Sequence, residues 1–372
     1  MLRSKGVMEK GLLLLLCVPL FTNIFLENKV FSALENRVLT QKIPLSSELL
    51  SSGVLSERVE AFVQDQFPFR DFFINIKSDG ETLLQKGENN GVYLGRDGYL
   101  FIKGTVYEEK ILQENLEAIK LFEESLRDKL SILLVPPSSL VLQDMLPTYY
   151  VPVLQKDQYD HVLSALKDTG MINLEEVLTG EDQQPTYFKT DHHWTQWGAY
   201  LGYEALMHSM GKEPVDIKDY VVDKVEDFKG SFYAKYRGHL LAGEPFVYYE
   251  KHLAQLKVEL VSENILQGSV FFKEHFKERD KYAAYLNGNF PLITLKNPEA
   301  LYKEKVLVLK DSQANAMAPF LADTFQEVHY MDLRYYNLSL KAYMEEEGFD
   351  QVILLYGLDS VGEESSLGKL KY

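Results

Sequence analysis

Apolar positions along this 372-residue chain follow two recurring patterns. Between Glu108 and Asp128, Ile111, Leu112, Leu116, Ile119, Leu121, Phe122 and Leu126 recur at helical spacing, the stripe of an amphipathic helix. Leu130 to Val135 is then a near-continuous apolar run stopped by Pro136-Pro137, as expected of a central parallel strand. The alternation continues with a helix over 155–169 and a short strand over 171–174. After a break it returns: strand over 305–309, turn at Lys310-Asp311-Ser312, helix over 314–325, strand over 328–332, helix over 338–347 and a last strand over 351–356. Helix and strand in alternation predict an α/β domain around a parallel sheet.

Other segments depart from this rhythm. Val92–Leu94 and Tyr99–Ile102 flank Gly95-Arg96-Asp97-Gly98, a hairpin signal, because glycine accepts positive φ. This hairpin opens a main domain over 91–372. Within it, residues of about 211–300 read as an insertion with antiparallel strands near Phe246–Tyr249 and Leu256–Leu260, placed to act as a lid. Residues 29–90 read as a juxtamembrane helical connector with helices over 55–63 and 72–84.

Residues 1–28 read as a signal anchor or signal peptide. Arg3, Lys5 and Lys10 precede the uncharged apolar run Gly11–Leu26, and no small-x-small cleavage site follows at Glu27–Phe31. An uncleaved anchor, with the rest of the chain extracytoplasmic, is the expectation. The net charge of −16 argues against a nucleic-acid partner. The single cysteine, Cys17, lies in the apolar run, so the exported part has no disulfide, thiol nucleophile or cysteine metal site.

Candidate chemistry concentrates at Thr190-Asp191-His192-His193-Trp194-Thr195, with Trp197 and Gly198 behind it. If this stretch is extended, Asp191 and His193 share one face and His192 and Trp194 the other. A carboxylate that orients a neutral histidine makes it a base for a serine hydroxyl. Ser312 stands where a parallel strand gives way to a helix, at the carboxyl end of the sheet where α/β folds bind ligands. On residues alone, Ser312 also reads as a helix N-cap and Asp191-His193 as a pair that orients a loop.

Asp191-His192-His193-Trp194-Thr195 followed by Gly198-Ala199 resembles the bacterial family named for its DHHW motif, which is similar to the alginate O-acetyltransferase group with its SGNH-hydrolase-like fold. Matching pieces are Glu35-Asn36-Arg37, Asp65 to Asp71, Leu94 to Phe101, and Lys310-Asp311-Ser312 with Ala314-Asn315-Ala316. The resemblance implies a three-layer SGNH-hydrolase-like domain in which Asp191 orients, His193 is the base and Ser312 the nucleophile. Lys310 stands where the Gly-Asp-Ser block has its glycine, and no clear Gly-x-Asn block supplies further oxyanion donors. Arg334, Tyr335, Tyr336 and Trp194 are the candidate substrate-binding residues.

The implied activity is an exported serine O-acyltransferase, usually of acetyl, or an acylesterase on a cell-surface polysaccharide. A membrane protein that exports the acyl group is the expected partner, and no metal or cofactor is expected. Two other readings stay open: a non-catalytic glycan-binding or scaffold protein of the same fold, and a metal-dependent phosphoesterase using Asp191, His192 and His193.

Overall fold

Four adjacent parallel strands, which end at one edge of the main sheet, organise the larger part of the protein. The structure, a computed structural model, describes residues 27–32, 37–42, 54–180 and 184–371. The apolar run at 11–26 therefore lies outside the described residues. Among the described residues no helix is long and apolar enough to cross a membrane.

The chain divides into two compact units. Of the described residues, one takes those up to Asn90 together with Ala234–Leu241, and the other takes those of 91–233 and from Ala242 onward. The first holds helices α1 (Leu55–Gln66) and α2 (Arg70–Leu83), each of which presents a carboxylate paired with an arginine. Asp65 accepts from the Arg37 guanidinium and the Thr40 N–H, and Asp71 from the buried Arg237.

The second unit begins with the hairpin β1 (Val92–Leu94) and β2 (Leu100–Ile102), whose turn holds Asp97 and Gly98 at φ 52° and 80°. Helix α3 (Glu109–Leu126) leads into β3 (Leu130–Val135), and α4 (Val153–Leu166) follows. The strand expected over 171–174 shrinks to one bridge, Ile172 with Leu133. Asn173 ends it, because its side chain accepts from the Glu175 N–H and starts a short helix. Helix α5 (Gln196–Ser209) follows the stretch 191–195 directly, capped by the Thr195 hydroxyl, which accepts from the Gly198 N–H.

The segment of about 211–300 holds antiparallel strands, and three of them extend the main sheet. β4 (Val221–Phe228) and β5 (Glu244–Glu250) pair with each other. β6 (Lys257–Leu260), β7 (Ile265–Gln267) and β8 (Leu292–Lys296) join the sheet through β8, which runs antiparallel to β10. The central strands are β9 (Tyr302–Lys310), β10 (Phe325–Met331) and β11 (Gln351–Gly357), giving the order β7-β6-β8-β10-β9-β11-β3. β10, β9, β11 and β3 are mutually parallel.

Alternate side chains of these strands enter two cores. Val306, Val308, Ile353 and Leu355 pack on one face with α5 residues Tyr203 and Leu206. Leu307, Leu309, Val352 and Leu354 pack on the other with Leu116 and Ile119 of α3 and Val162 of α4. Burial on both faces is why these runs are almost wholly apolar. Helices on both sides of one sheet make the three-layer α/β architecture.

The helix expected over 314–325 is two pieces, a tight 3-10 turn at Ser312–Met317 and α6 at Ala318–Thr324. Pro319 explains the division. It lacks an N–H and its ring would clash with the carbonyl four residues back, so it is accepted only in the first turn of a helix.

Candidate active site

Ser312 follows the end of β9, and the preceding residue holds it there. Asp311 is extended, and one carboxylate oxygen accepts from the Gln313 N–H at 2.9 Å, which caps the turn. The other oxygen accepts from the Gly357 N–H at 2.7 Å and the Ser360 hydroxyl at 2.6 Å. Asp311 thus ties the ends of β9 and β11 together under the serine. The carbonyl of Gln313 accepts from the Trp194 indole N–H at 2.8 Å.

Asp191 and His193 come together through a bend instead of an extended run. Asp191 Oδ1 accepts from the His193 backbone N–H at 3.0 Å and pairs with ring Nδ1 at 2.5 Å. An aspartate that bonds the backbone two residues ahead is a local turn device, available to Asp without any strand. The bend also changes the place of His192. Its ring lies beside that of His193, centroids 3.7 Å apart, instead of on the opposite face.

On its other side, His193 Nε2 stands 2.8 Å from Ser312 Oγ. Asp191 and His193 are 4% and 6% exposed. Burial alone would raise the Asp191 carboxyl. The His193 and His192 rings and the Ser231 N–H outweigh it and hold the carboxyl below the usual carboxylate range. Glu244 steadies the approach to this bend, accepting from the N–H groups of Lys189 and Thr190 and from the Thr190 hydroxyl. Desolvation, with Asp191 nearby, raises the Glu244 carboxyl despite those bonds.

The other expected site residues have different surroundings. Trp194 is fully buried and braces the Ser312 turn from behind; Gly202 faces its ring so closely that a Cβ would lie 2.9 Å from it. With its indole enclosed in the core, Trp194 has no surface to offer a substrate. Arg334 is held by Asp332, Nη2 to Oδ2 2.7 Å, and lies over the ring of the half-exposed Tyr335. Tyr336 is buried in the core that contains α3. Lys310 is wholly buried: its Nζ donates to Asn289 Oδ1 at 2.5 Å and Asn315 Oδ1 at 2.8 Å, with Asp332 at 3.9 Å. Burial pushes its ammonium down to about 8.

Sequence reasoning missed Gly230, Ser231, Glu244 and Tyr282. The Ser231 N–H donates to Asp191 Oδ2 at 2.6 Å, and its hydroxyl pairs with His192 Nδ1 at 2.7 Å. Tyr282 lies flat on the His193 ring. Gly230-Ser231 was visible only as a small-residue turn, and Tyr282 carried no local signal, because contacts across the fold select both.

Among the described residues, two groupings of carboxylates and histidines could offer ligand atoms to a metal. Asp191, His192 and His193 already bond one another, Ser231 and Ser312. In the second, Glu327, His329 and Glu347, the ammonium of Lys305 contacts both carboxylates and both histidine nitrogens are engaged.

Residues 92–233 match the family described as an SGNH hydrolase-like domain of the acetyltransferase AlgX. Over these residues the chain is similar to that acetyltransferase domain. The probable alginate O-acetylase AlgJ of Pseudomonas putida is 25% identical over 174 residues, 44% of this chain and 45% of that protein. The chain therefore spans less than half the length of that relative. A DHHW family protein from Eubacterium siraeum has the same fold, with a TM-score of 0.62 at 19% identity over 76% of this chain and 95% of that one. Bacillus cereus PatB1 matches with a TM-score of 0.62 at 23% identity over 74% and 98%. The AlgX-type match includes Asp191 and His193 and ends before Ser312, which the sheet topology brings to them.

Proposed function

We propose that this protein is a serine O-acyltransferase that modifies an extracytoplasmic polysaccharide, with Ser312 as nucleophile, His193 as base and Asp191 as orienting carboxylate. The observation that carries the reading is the continuous series Asp191 Oδ1, His193 Nδ1, His193 Nε2 and Ser312 Oγ, with links of 2.5 and 2.8 Å. Likeness to an acetyltransferase domain and an alginate O-acetylase supports acetyl as the group and a glycan as the acceptor.

In the first step Ser312 Oγ attacks the acyl carbonyl while His193 Nε2 takes its proton. The leaving group departs with that proton, and the acyl group remains as an ester on Ser312. His193 then deprotonates a sugar hydroxyl, which attacks the ester carbonyl; the bond to Ser312 Oγ breaks and His193 returns the proton to that oxygen. The Ser312 N–H, among the first donors of its turn, is suited to the developing oxyanion. Water in place of the sugar would give an acylesterase. Asp191 keeps the Nδ1 proton in place and stabilises the imidazolium. A membrane protein that presents the acyl group on the outer side is the partner this reading requires.

The test is turnover of a chromogenic acetate by the purified protein, with and without a polysaccharide acceptor. Ser312→Ala and His193→Ala are each expected to lower kcat by roughly a thousandfold or more. Turnover in both variants equal to wild type overturns the reading.

A further inference from the structure

Tyr282 touches both the base and the nucleophile turn. Its ring lies 3.6 Å from the His193 ring, centroid to centroid, with 5° between the planes. Its hydroxyl donates to the Ser312 carbonyl at 3.0 Å and to the Gln313 carbonyl at 3.3 Å. Burial raises the phenol well above its ordinary value, so it remains a donor.

The segment that carries Tyr282 is held at two further points on the nucleophile side. Lys310 donates to Asn289, and the Asn315 side chain donates to the Gly288 carbonyl at 3.2 Å. On the inner side, the Tyr282 ring meets Tyr285 edge-on at 5.2 Å and Phe188 edge-on at 6.5 Å. Neither the ring nor the hydroxyl can move without breaking one of these contacts.

The stack itself is informative. Two neutral aromatic rings avoid a parallel face-to-face sandwich and prefer offset or edge-on arrangements, because their faces carry like charge. A cation over the ring face is attracted instead. His193 becomes such a cation when it takes the Ser312 proton. The arrangement therefore suits the charge that appears in the transition state better than the neutral ground state, which is the condition for speeding the chemical step.

We propose that Tyr282 is a positioning residue for acyl transfer. Its ring holds the His193 imidazole in plane and favours the imidazolium, while its hydroxyl holds the Ser312 turn at the correct distance. This rests on Ser312 being the nucleophile.

The test uses the full chain and phenylmethylsulfonyl fluoride, which needs neither acyl donor nor glycan. Ser312 Oγ forms the S–O bond, fluoride leaves, and His193 takes the hydroxyl proton. Mass spectrometry locates the adduct, and kcat and KM for a chromogenic acetate are measured beside it.

Tyr282→Leu is expected to lower the sulfonylation rate and kcat by about ten- to a hundredfold, with KM within about twofold. Tyr282→Phe keeps the ring and is expected to stay within about fivefold of wild type. Tyr282→Met serves in place of Tyr282→Leu if that variant loses its thermal transition.

Wild-type sulfonylation rates in the Leu or Met variant overturn the positioning role. A Phe variant as slow as the aliphatic ones overturns the part given to the ring. Absence of any adduct on wild-type Ser312 overturns the nucleophile reading beneath it, and the Tyr282 role falls with it.

Discussion

Gly230 lies directly against the carboxylate of Asp191. A Cβ built on Gly230 would overlap Asp191 Cβ and Oδ2, and the next residue donates its N–H to that same oxygen at 2.6 Å. The backbone approaches the orienting carboxylate this closely because no side chain intervenes. Gly230→Ala must push Asp191 or the 229–231 turn aside. It is expected to cost about 1–3 kcal/mol in stability and to lower kcat, read by denaturant unfolding and acetate turnover.

Asp191→Asn keeps the size of the side chain but loses the charge that orients the His193 ring. A fall in kcat of roughly a hundred- to ten-thousandfold is expected. The same variant has a signature in stability. The folded-state carboxyl sits below its unfolded value, so its contribution is present above about pH 4 and is lost as pH falls through the folded value. The stability gap between wild type and Asp191→Asn is therefore expected to narrow in acid, measured by urea unfolding at pH 7 and below pH 4.

Lys310 has the opposite linkage. Its folded value is about 8 against an ordinary 10.5, so between those limits the folded protein releases a proton that the unfolded chain keeps. The unfolded state then binds more protons, and this group makes the protein more stable as pH rises through that window. Urea midpoints taken at pH 7.5 and pH 10 should show the rise as a difference between wild type and Lys310→Met, whose methionine cannot titrate.

Metal removal should leave the reaction intact. The oxygens of Asp191 and both ring nitrogens of His193 are engaged in hydrogen bonds that the proposed chemistry uses, so a cation would have to displace them. Acetate turnover is expected to be unchanged after exhaustive chelation. A loss restored by added zinc or manganese would return the metal-dependent phosphoesterase reading.

Much of the site's composition was legible in the sequence because its parts are local. Asp191 and His193 are two residues apart, and a short aspartate side chain reaches the second residue ahead whether the backbone is extended or bent. The geometry nonetheless differs from an extended strand: the bend brings His192 beside His193 as well. Ser312 was legible because the apolar run of β9 ends just before it. Pro319, visible in the sequence, sets where the following helix begins, yet the helical spacing of 314–325 masked it.

The sequence by itself determined the alternation of helix and strand, the two-residue spacing of Asp191 and His193, and the strand end that carries Ser312. Periodicity and side-chain reach act over a few residues, and the chain states them directly. Only the tertiary structure decided that His193 meets Ser312 across 119 positions, that Gly230 seats the carboxylate and that Tyr282 covers the imidazole. Those contacts depend on which strands neighbour one another. In the sheet β9 lies between β10 and β11, while β6 to β8 extend it beyond β10, an order set by packing two apolar faces at once. The motif is therefore half a site in the sequence and becomes a whole one through the order of the strands.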